Sequence, residues 1–93
     1  MAKVVYTDKA FSDIDRIIEF NNNRNKSKVY SNKFLSNLRA RLAKLAEYPL
    51  TGVKTEDPET RLLIWNNYYI FYEIGDGYIE IDSVYHQKEN INR

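Results

Sequence analysis

The residues that this chain lacks exclude several classes of function. Its 93 residues include no cysteine, one histidine, three glycines and two prolines. Without cysteine the protein forms no disulfide and no thiolate metal site, and with one histidine we expect no dedicated zinc site. Glycine-rich phosphate loops, paired-histidine motifs and a nucleophile-elbow serine are also missing, which argues against kinase, dehydrogenase and metalloprotease functions. We therefore expect no metal and no organic cofactor.

Long apolar runs are missing too. No segment approaches the roughly 18 apolar residues that a membrane-spanning helix needs. The amino terminus lacks a basic region followed by an apolar stretch. We therefore expect a cytoplasmic protein with no membrane partner. A chain of 93 residues is expected to form one domain over residues 1–93.

Charged residues of both signs are present, but their distribution is uneven. The net charge is +1, yet residues 1–50 carry ten basic and five acidic side chains, whereas residues 51–93 carry four and eight. Residues 20–46 contain no acidic side chain and seven basic ones, which are Arg24, Lys26, Lys28, Lys33, Arg39, Arg41 and Lys44. Such a stretch suits an anionic partner, either nucleic acid or an acidic peptide. It is equally typical of a solvated helix face, and the sequence leaves both interpretations open.

The first half of the chain predicts a strand followed by two helices. Residues 2–6 include two adjacent valines and predict a strand. Apolar residues then recur at helical spacing over residues 8–20 and again over residues 27–48. The polar residues 21–27 are expected to connect these helices. Pro49 is expected to end the second helix, because proline lacks the N–H that a helix interior requires.

The second half predicts three strands with short turns. Residues 52–60 form a polar loop, and strands are predicted over residues 61–65, 68–74 and 78–84, with an Asn66-Asn67 turn between the first two. The order β-α-α-β-β-β predicts an α+β fold, in which a helical hairpin packs on a small, mainly antiparallel, four-stranded sheet. The pattern does not reveal which edge of the sheet the first strand joins.

The single histidine stands at the end of the last predicted strand. Imidazole exchanges protons near neutral pH, so His86 is a candidate acid or base. Arg61 and Lys88 are candidates for stabilising a phosphate, and Glu56 for activating a hydroxyl. Together these four residues would suit metal-free RNA cleavage, in which a 2′-hydroxyl attacks its own phosphate. The alternative is a partly exposed histidine that closes a strand and bonds to a backbone group.

Aromatic residues are concentrated on the last strands. The chain has eight tyrosines, of which Tyr68, Tyr69 and Tyr72 share one predicted strand. Tyrosines on a sheet either stack nucleobases or pack half-buried against helices, and the packing interpretation is the commoner one. Trp65 is interpreted as a core or boundary residue.

Several short motifs occur in a fixed order along nearly the whole chain. They are Val4-Val5-Tyr6, Ala10 and Ile14, the segment 42–52 with its Tyr48-Pro49-x-x-Gly52, Arg61, the segment 69–74, and Ile79-x-Ile81-x-x-Val84-x-His86-Gln87-Lys88. This series resembles the RelE/ParE superfamily of bacterial toxins from type II toxin–antitoxin modules. The resemblance implies a growth inhibitor of a plasmid-stabilisation module, which a cognate antitoxin wraps and neutralises in a hetero-oligomer.

The superfamily has two branches with different targets. RelE-like members cut mRNA on the ribosome, whereas ParE-like members poison DNA gyrase and need no nuclease site. In this chain His86 matches a histidine of the nuclease pattern and Glu56 a loop glutamate. Tyr69 stands where the pattern has an arginine, and Gln87 where it has a tyrosine. These departures and the near-neutral net charge favour the ParE-like branch.

Two other functions are kept as alternatives. The first is a RelE-like ribosome-dependent mRNA endonuclease, and the second is a degenerate member that still binds its antitoxin. For both toxin branches the basic stretch predicts that an acidic or amphipathic antitoxin contacts Lys33, Arg39, Arg41 and Lys44 of the second helix. In the RelE-like alternative this basic face would contact ribosomal RNA.

Overall fold

The computed structural model describes residues 2–25 and 28–88, and only the backbone of residues 23–25 and 28. The elements are β1 Lys3–Tyr6, α1 Asp8–Asn25, α2 Lys28–Glu47, a 3₁₀ turn Pro49–Thr51, β2 Val53–Lys54, β3 Thr60–Trp65, β4 Tyr68–Gly75 and β5 Tyr78–His86. This order confirms the predicted α+β fold of two helices and a small sheet.

The sheet has five strands in the order β1-β5-β4-β3-β2. β1 runs parallel to β5 at one edge, and the other neighbours are antiparallel. The prediction of four strands was wrong, because Val53 and Lys54 pair with Leu62 and Arg61 and form β2. A strand of two residues is too short to show the alternation that predicts a strand.

The first helix is longer than predicted. Residues 21–25 continue α1 instead of forming a connection, while residues 26 and 27 lie outside the described part of the chain. Asparagine has a modest helix propensity, but here packing against α2 compensates for it. Asn21 is buried, and Ser31 Oγ of α2 donates a hydrogen bond to Asn22 Oδ1 (2.6 Å).

Both helices place an apolar stripe on one face of the sheet. The buried apolar residues of α1 and α2 are Ala10, Ile14, Ile17, Phe34, Leu38, Leu42, Leu45 and Ala46. The sheet covers them with Leu63, Ile70, Tyr72, Ile79, Ile81 and Val84. Because the period of a strand is two, the alternate residues of the strands lie on the face away from the helices.

The turn between β3 and β4 is the predicted asparagine turn. Asn66 has φ of 52°, a left-handed conformation that asparagine tolerates better than most residues. This turn lies beside His86, because Trp65 pairs with Tyr68 on β4 and Tyr68 pairs in turn with His86 on β5.

Candidate functional site

α1 covers the part of β5 that β1 leaves open. β1 pairs only with residues 78–81 of β5. Beyond that point Val84 donates its N–H to Asp13 Oδ2 (3.0 Å) and accepts a bond from Arg16 Nη2 at its carbonyl (3.2 Å). Side chains of α1 thus replace a neighbouring strand, and they fix the end of β5 on which His86 stands.

Asp13 is the centre of this contact, and its carboxylate is buried. It bonds to Lys9 Nζ (2.9 Å) and Arg16 Nη1 (2.6 Å) as well as to Val84 N–H. Burial alone would raise the pKa of Asp13, but the bonds from Arg16, Lys9 and Val84 outweigh it and hold the pKa below its ordinary value. Lys9 Nζ also bonds to the Tyr85 hydroxyl (2.6 Å), which ties the next residue of β5 to α1.

His86 is the last residue of β5, at the position that the sequence predicted. Its ring meets Tyr68 edge-on at 5.2 Å between centroids. Tyr68 in turn lies 5.0 Å from the Phe34 ring and 5.7 Å from the Trp65 ring. His86 Nδ1 accepts a hydrogen bond from the backbone N–H of Lys88 (3.1 Å), so the bond to a backbone group that the alternative interpretation requires is present.

Two cavities meet at this ring cluster, and we call them together the two-lobed cleft. The first lobe, about 500 Å³, lies between α2 and the β3–β4 turn. The second lobe, about 420 Å³, lies between α1 and the end of β5. Tyr68 and His86 line both lobes and separate them. Lys33 lies on the first lobe and Lys88 on the second.

Arg61 lies far from this cleft and has a local structural contact. Its guanidinium donates to the carbonyls of Gly52 (2.8 and 3.1 Å) and Leu50 (3.2 Å). Arg61 pairs with Tyr72, whereas His86 pairs with Tyr68, and these two β4 positions are separated by roughly 13 Å along the strand. The structure therefore does not bring Arg61 and His86 to one place.

Tyr72 completes the structure around Arg61. The N–H of Gly52 donates to the Tyr72 hydroxyl (2.9 Å), which itself donates to the Pro49 carbonyl (2.5 Å).

Glu56 is exposed in the loop between β2 and β3 and lines a separate cavity with Phe71. Of the four residues predicted for RNA cleavage, only His86 and Lys88 lie together, and their catalytic role stays a prediction.

The basic residues of α2 lie on its outer surface. Lys33, Arg39 and Lys44 are exposed and Arg41 is half-buried. Within residues 2–25 and 28–88 the salt bridges join Asp13 to Lys9 and to Arg16, and none involves these four residues. Of the other basic residues in the 20–46 stretch, Lys26 and the side chains of Arg24 and Lys28 lie outside the described part of the chain.

A group of three carboxylates lies on the face of the sheet away from the helices. Glu73 of β4 pairs with Glu80 of β5, and one carboxylate oxygen each of Glu73, Glu80 and Asp82 lie within 4.8 Å of one another. Burial, and then hydrogen bonds and repulsion from the two glutamates, raise the pKa of Asp82 to about 8. Sequence reasoning missed this group because the register of β4 against β5 creates it.

Neither described helix has the length and apolar content that crossing a membrane would require.

The family model for the ParE toxin of the type II toxin–antitoxin system parDE matches residues 4–91. The chain belongs to the ParE toxin family. No curated protein sequence matches it significantly.

A solved structure supports the fold of this ParE-family chain. It is titled as the chromosomal ParDE toxin–antitoxin system from P. aeruginosa, and it is similar with a TM-score of 0.74. The alignment covers 92% of this chain and 96% of the other at 18% sequence identity. At that identity the likeness establishes the shared fold.

Proposed function

We propose that this ParE-family protein is a toxin that inhibits growth by poisoning DNA gyrase, and that a cognate antitoxin neutralises it. The observation that carries the proposal is the family match over residues 4–91. A second observation supports the gyrase branch over the nuclease branch. Arg61, the candidate phosphate-binding residue, is bonded to the Gly52 and Leu50 carbonyls and stands apart from His86.

Purified gyrase tests the proposal directly. Relaxed plasmid is incubated with gyrase, ATP and rising amounts of the toxin, and both supercoiling and cleaved DNA are measured. We expect supercoiling to fall and cleaved plasmid to accumulate, because a poison traps the enzyme on broken DNA. Adding the antitoxin encoded beside the toxin gene should restore supercoiling. Normal supercoiling at a large excess of toxin would contradict the proposal.

The nuclease alternative has its own test, which uses His86 and avoids Arg61. Removing the Arg61 side chain would break three hydrogen bonds in the fold, so lost toxicity would not identify a catalytic role. His86→Ala leaves those bonds intact. Growth arrest that persists in this variant, with intact mRNA in the arrested cells, supports gyrase poisoning over RNA cleavage. Unimpeded growth on inducing the wild-type chain would instead indicate a degenerate member.

We further propose that the antitoxin contacts the basic outer surface of α2. The exposed cations Lys33, Arg39 and Lys44 suit an acidic or amphipathic segment. Binding of the antitoxin should weaken as salt is added, because exposed charges are screened. The variants Arg39→Gln and Lys44→Gln should each bind more slowly and show less salt dependence than Lys3→Gln, a matched control on β1. Salt-independent binding would indicate a chiefly apolar contact.

A further inference from the structure

The two-lobed cleft offers aromatic faces in both lobes. Tyr30 lies on the first lobe with 55% of its surface exposed, beside Phe34, Trp65 and Tyr68. Phe20 lies on the second lobe with 61% of its surface exposed. An exposed aromatic ring on each side provides a flat surface on which a planar group can stack.

The charged residues that line the cleft are all basic. Lys33 lies on the first lobe and Lys88 on the second, and among the described residues neither lysine takes part in a salt bridge. No described residue that lines either lobe is acidic. Four asparagines supply amide groups, Asn37, Asn66 and Asn67 in the first lobe and Asn21 in the second. The cleft therefore favours an anionic ligand whose planar groups carry hydrogen-bonding edges.

His86 lies between the lobes, and one of its ring nitrogens already accepts a hydrogen bond. Its Nδ1 accepts the N–H of Lys88 (3.1 Å), so the proton of the neutral imidazole is carried by Nε2. Nε2–H is a donor for an anionic oxygen. His86, which separates the two lobes, can therefore bind a phosphate, while each lobe can bind a base.

We propose that the two-lobed cleft binds single-stranded nucleic acid across two neighbouring nucleotides. One base stacks in the first lobe against Tyr30, and the other stacks in the second lobe against Phe20. The phosphates lie near His86, Lys33 and Lys88. An acidic peptide would satisfy the lysines, but it would leave the ring faces and the amides of two lobes without matching planar groups. This binding goes beyond the proposed function and requires no gyrase.

Trp65 provides the assay, because it is the only tryptophan of the chain and it lines the first lobe. Its fluorescence is titrated with four probes at low salt: a pentamer of deoxythymidylate, a pentamer of uridylate, thymidine 5′-monophosphate, and an acidic peptide of alternating glutamate and tyrosine. Saturable quenching by either pentamer, with much weaker binding of the mononucleotide and the peptide, is the expected result. The two pentamers show whether the strand that binds best is DNA or RNA.

Variants connect the binding to the cleft. With phosphates neutralised by Lys33 and Lys88, log K should fall against log salt with a slope of about −1.4, and Lys33→Gln or Lys88→Gln should halve that slope. Tyr30→Ala and Phe20→Ala should each weaken binding about fivefold or more. Both rings are more than half exposed, so these variants should fold, which thermal unfolding checks. Lys3→Gln removes the same charge at the far end of β5 and should bind like the wild type.

Four outcomes would overturn the proposal. The first is the absence of saturable quenching by either pentamer. The second is a mononucleotide that binds as tightly as a pentamer, since the second lobe would then have no part. The third is a peptide that binds as tightly as the pentamers, which would assign the cleft to a protein partner. The fourth is equal affinity of the Lys33→Gln, Lys88→Gln and Lys3→Gln variants. A negative gyrase assay would leave this result unchanged.

Discussion

Replacing Asp13 with alanine tests whether α1 holds the open edge of β5. The substitution removes the acceptor of the buried Val84 N–H, and leaving a buried donor unpaired costs about 1–3 kcal/mol. It also breaks the ion pairs to Lys9 and Arg16, whose side chains are 56% and 44% exposed. Because solvent screens the two cations, each ion pair is taken to contribute only about 0–1 kcal/mol. We expect the free energy of unfolding to fall by about 1–5 kcal/mol.

Urea unfolding measures this loss, with Trp65 fluorescence as the probe. Asp15→Ala is the matched control, because Asp15 is an exposed acidic residue of the same helix. The control should stay within about 0.5 kcal/mol of the wild type. If Asp13→Ala unfolds at the same urea concentration as the control, α1 does not stabilise β5 through this carboxylate and the reasoning fails.

The pH dependence of the same variant gives an independent check. The pKa of Asp13 is lower in the folded state than its ordinary value, so the unfolded chain binds a proton first as the pH falls. The stability that Asp13 contributes is therefore complete above the ordinary aspartate pKa of about 3.9 and is lost as the pH drops through the folded value. The difference between wild type and Asp13→Ala should narrow below about pH 4. A difference that stays constant would contradict the lowered pKa.

Three further predictions concern other parts of the fold. Tyr72→Phe should lower the free energy of unfolding by about 1–3 kcal/mol, because the buried Gly52 N–H loses its acceptor; an unchanged urea midpoint would contradict this. Asn66→Ala should cost about 1–2 kcal/mol, because alanine disfavours the φ of 52°, whereas Asn67→Ala serves as the control. The pKa of Asp82 is raised to about 8 in the folded state, so the folded protein keeps a proton on Asp82 that the unfolded chain has already lost. The melting temperature of the wild type should therefore fall as the pH rises from about 5 to 8. Asp82→Asn should reduce that fall, and an equally steep fall in the variant would rule out Asp82 as its cause.

The hydrogen bonds of Asp13 and Arg16 to the backbone of Val84, which we call the clamp, also relate to the cleft. Val84 is two residues from His86 on the same strand, and Arg16 both bonds to the Val84 carbonyl and lines the second lobe. Loosening the clamp should therefore disturb the cleft as well as the fold. For this reason the binding tests use Tyr30, Phe20, Lys33 and Lys88, none of which takes part in the clamp.

Most of the fold could be predicted from local patterns. Apolar residues at helical spacing located both helices, and the Asn66-Asn67 turn was predicted from the residues that tolerate a positive φ. The extension of α1 through Asn25 could not be predicted, because the contact of Asn22 with Ser31 depends on how the two helices pack. β2 was missed because its two residues form a strand only through pairing with β3.

The candidate site was less predictable than the fold. His86 was placed correctly at the end of the last strand, yet its neighbours Tyr30 and Lys33 come from α2 and could not be assigned to it. Asp13 was not among the site residues predicted from the sequence. Asp13 is three residues after Ala10 and four before Ile17, both buried, and this helical spacing was the signal available in the sequence.

The sequence by itself determined the class of fold and, through its ordered motifs, the family, because helical and strand periods and turn residues are properties of neighbouring positions. Only the tertiary structure decided which charged groups meet. It separated Arg61 from His86, brought Asp13 to Val84, and joined Glu73 to Glu80. Such contacts depend on strand register and helix placement, and a shift of one residue in register would move each side chain to the other face of the sheet.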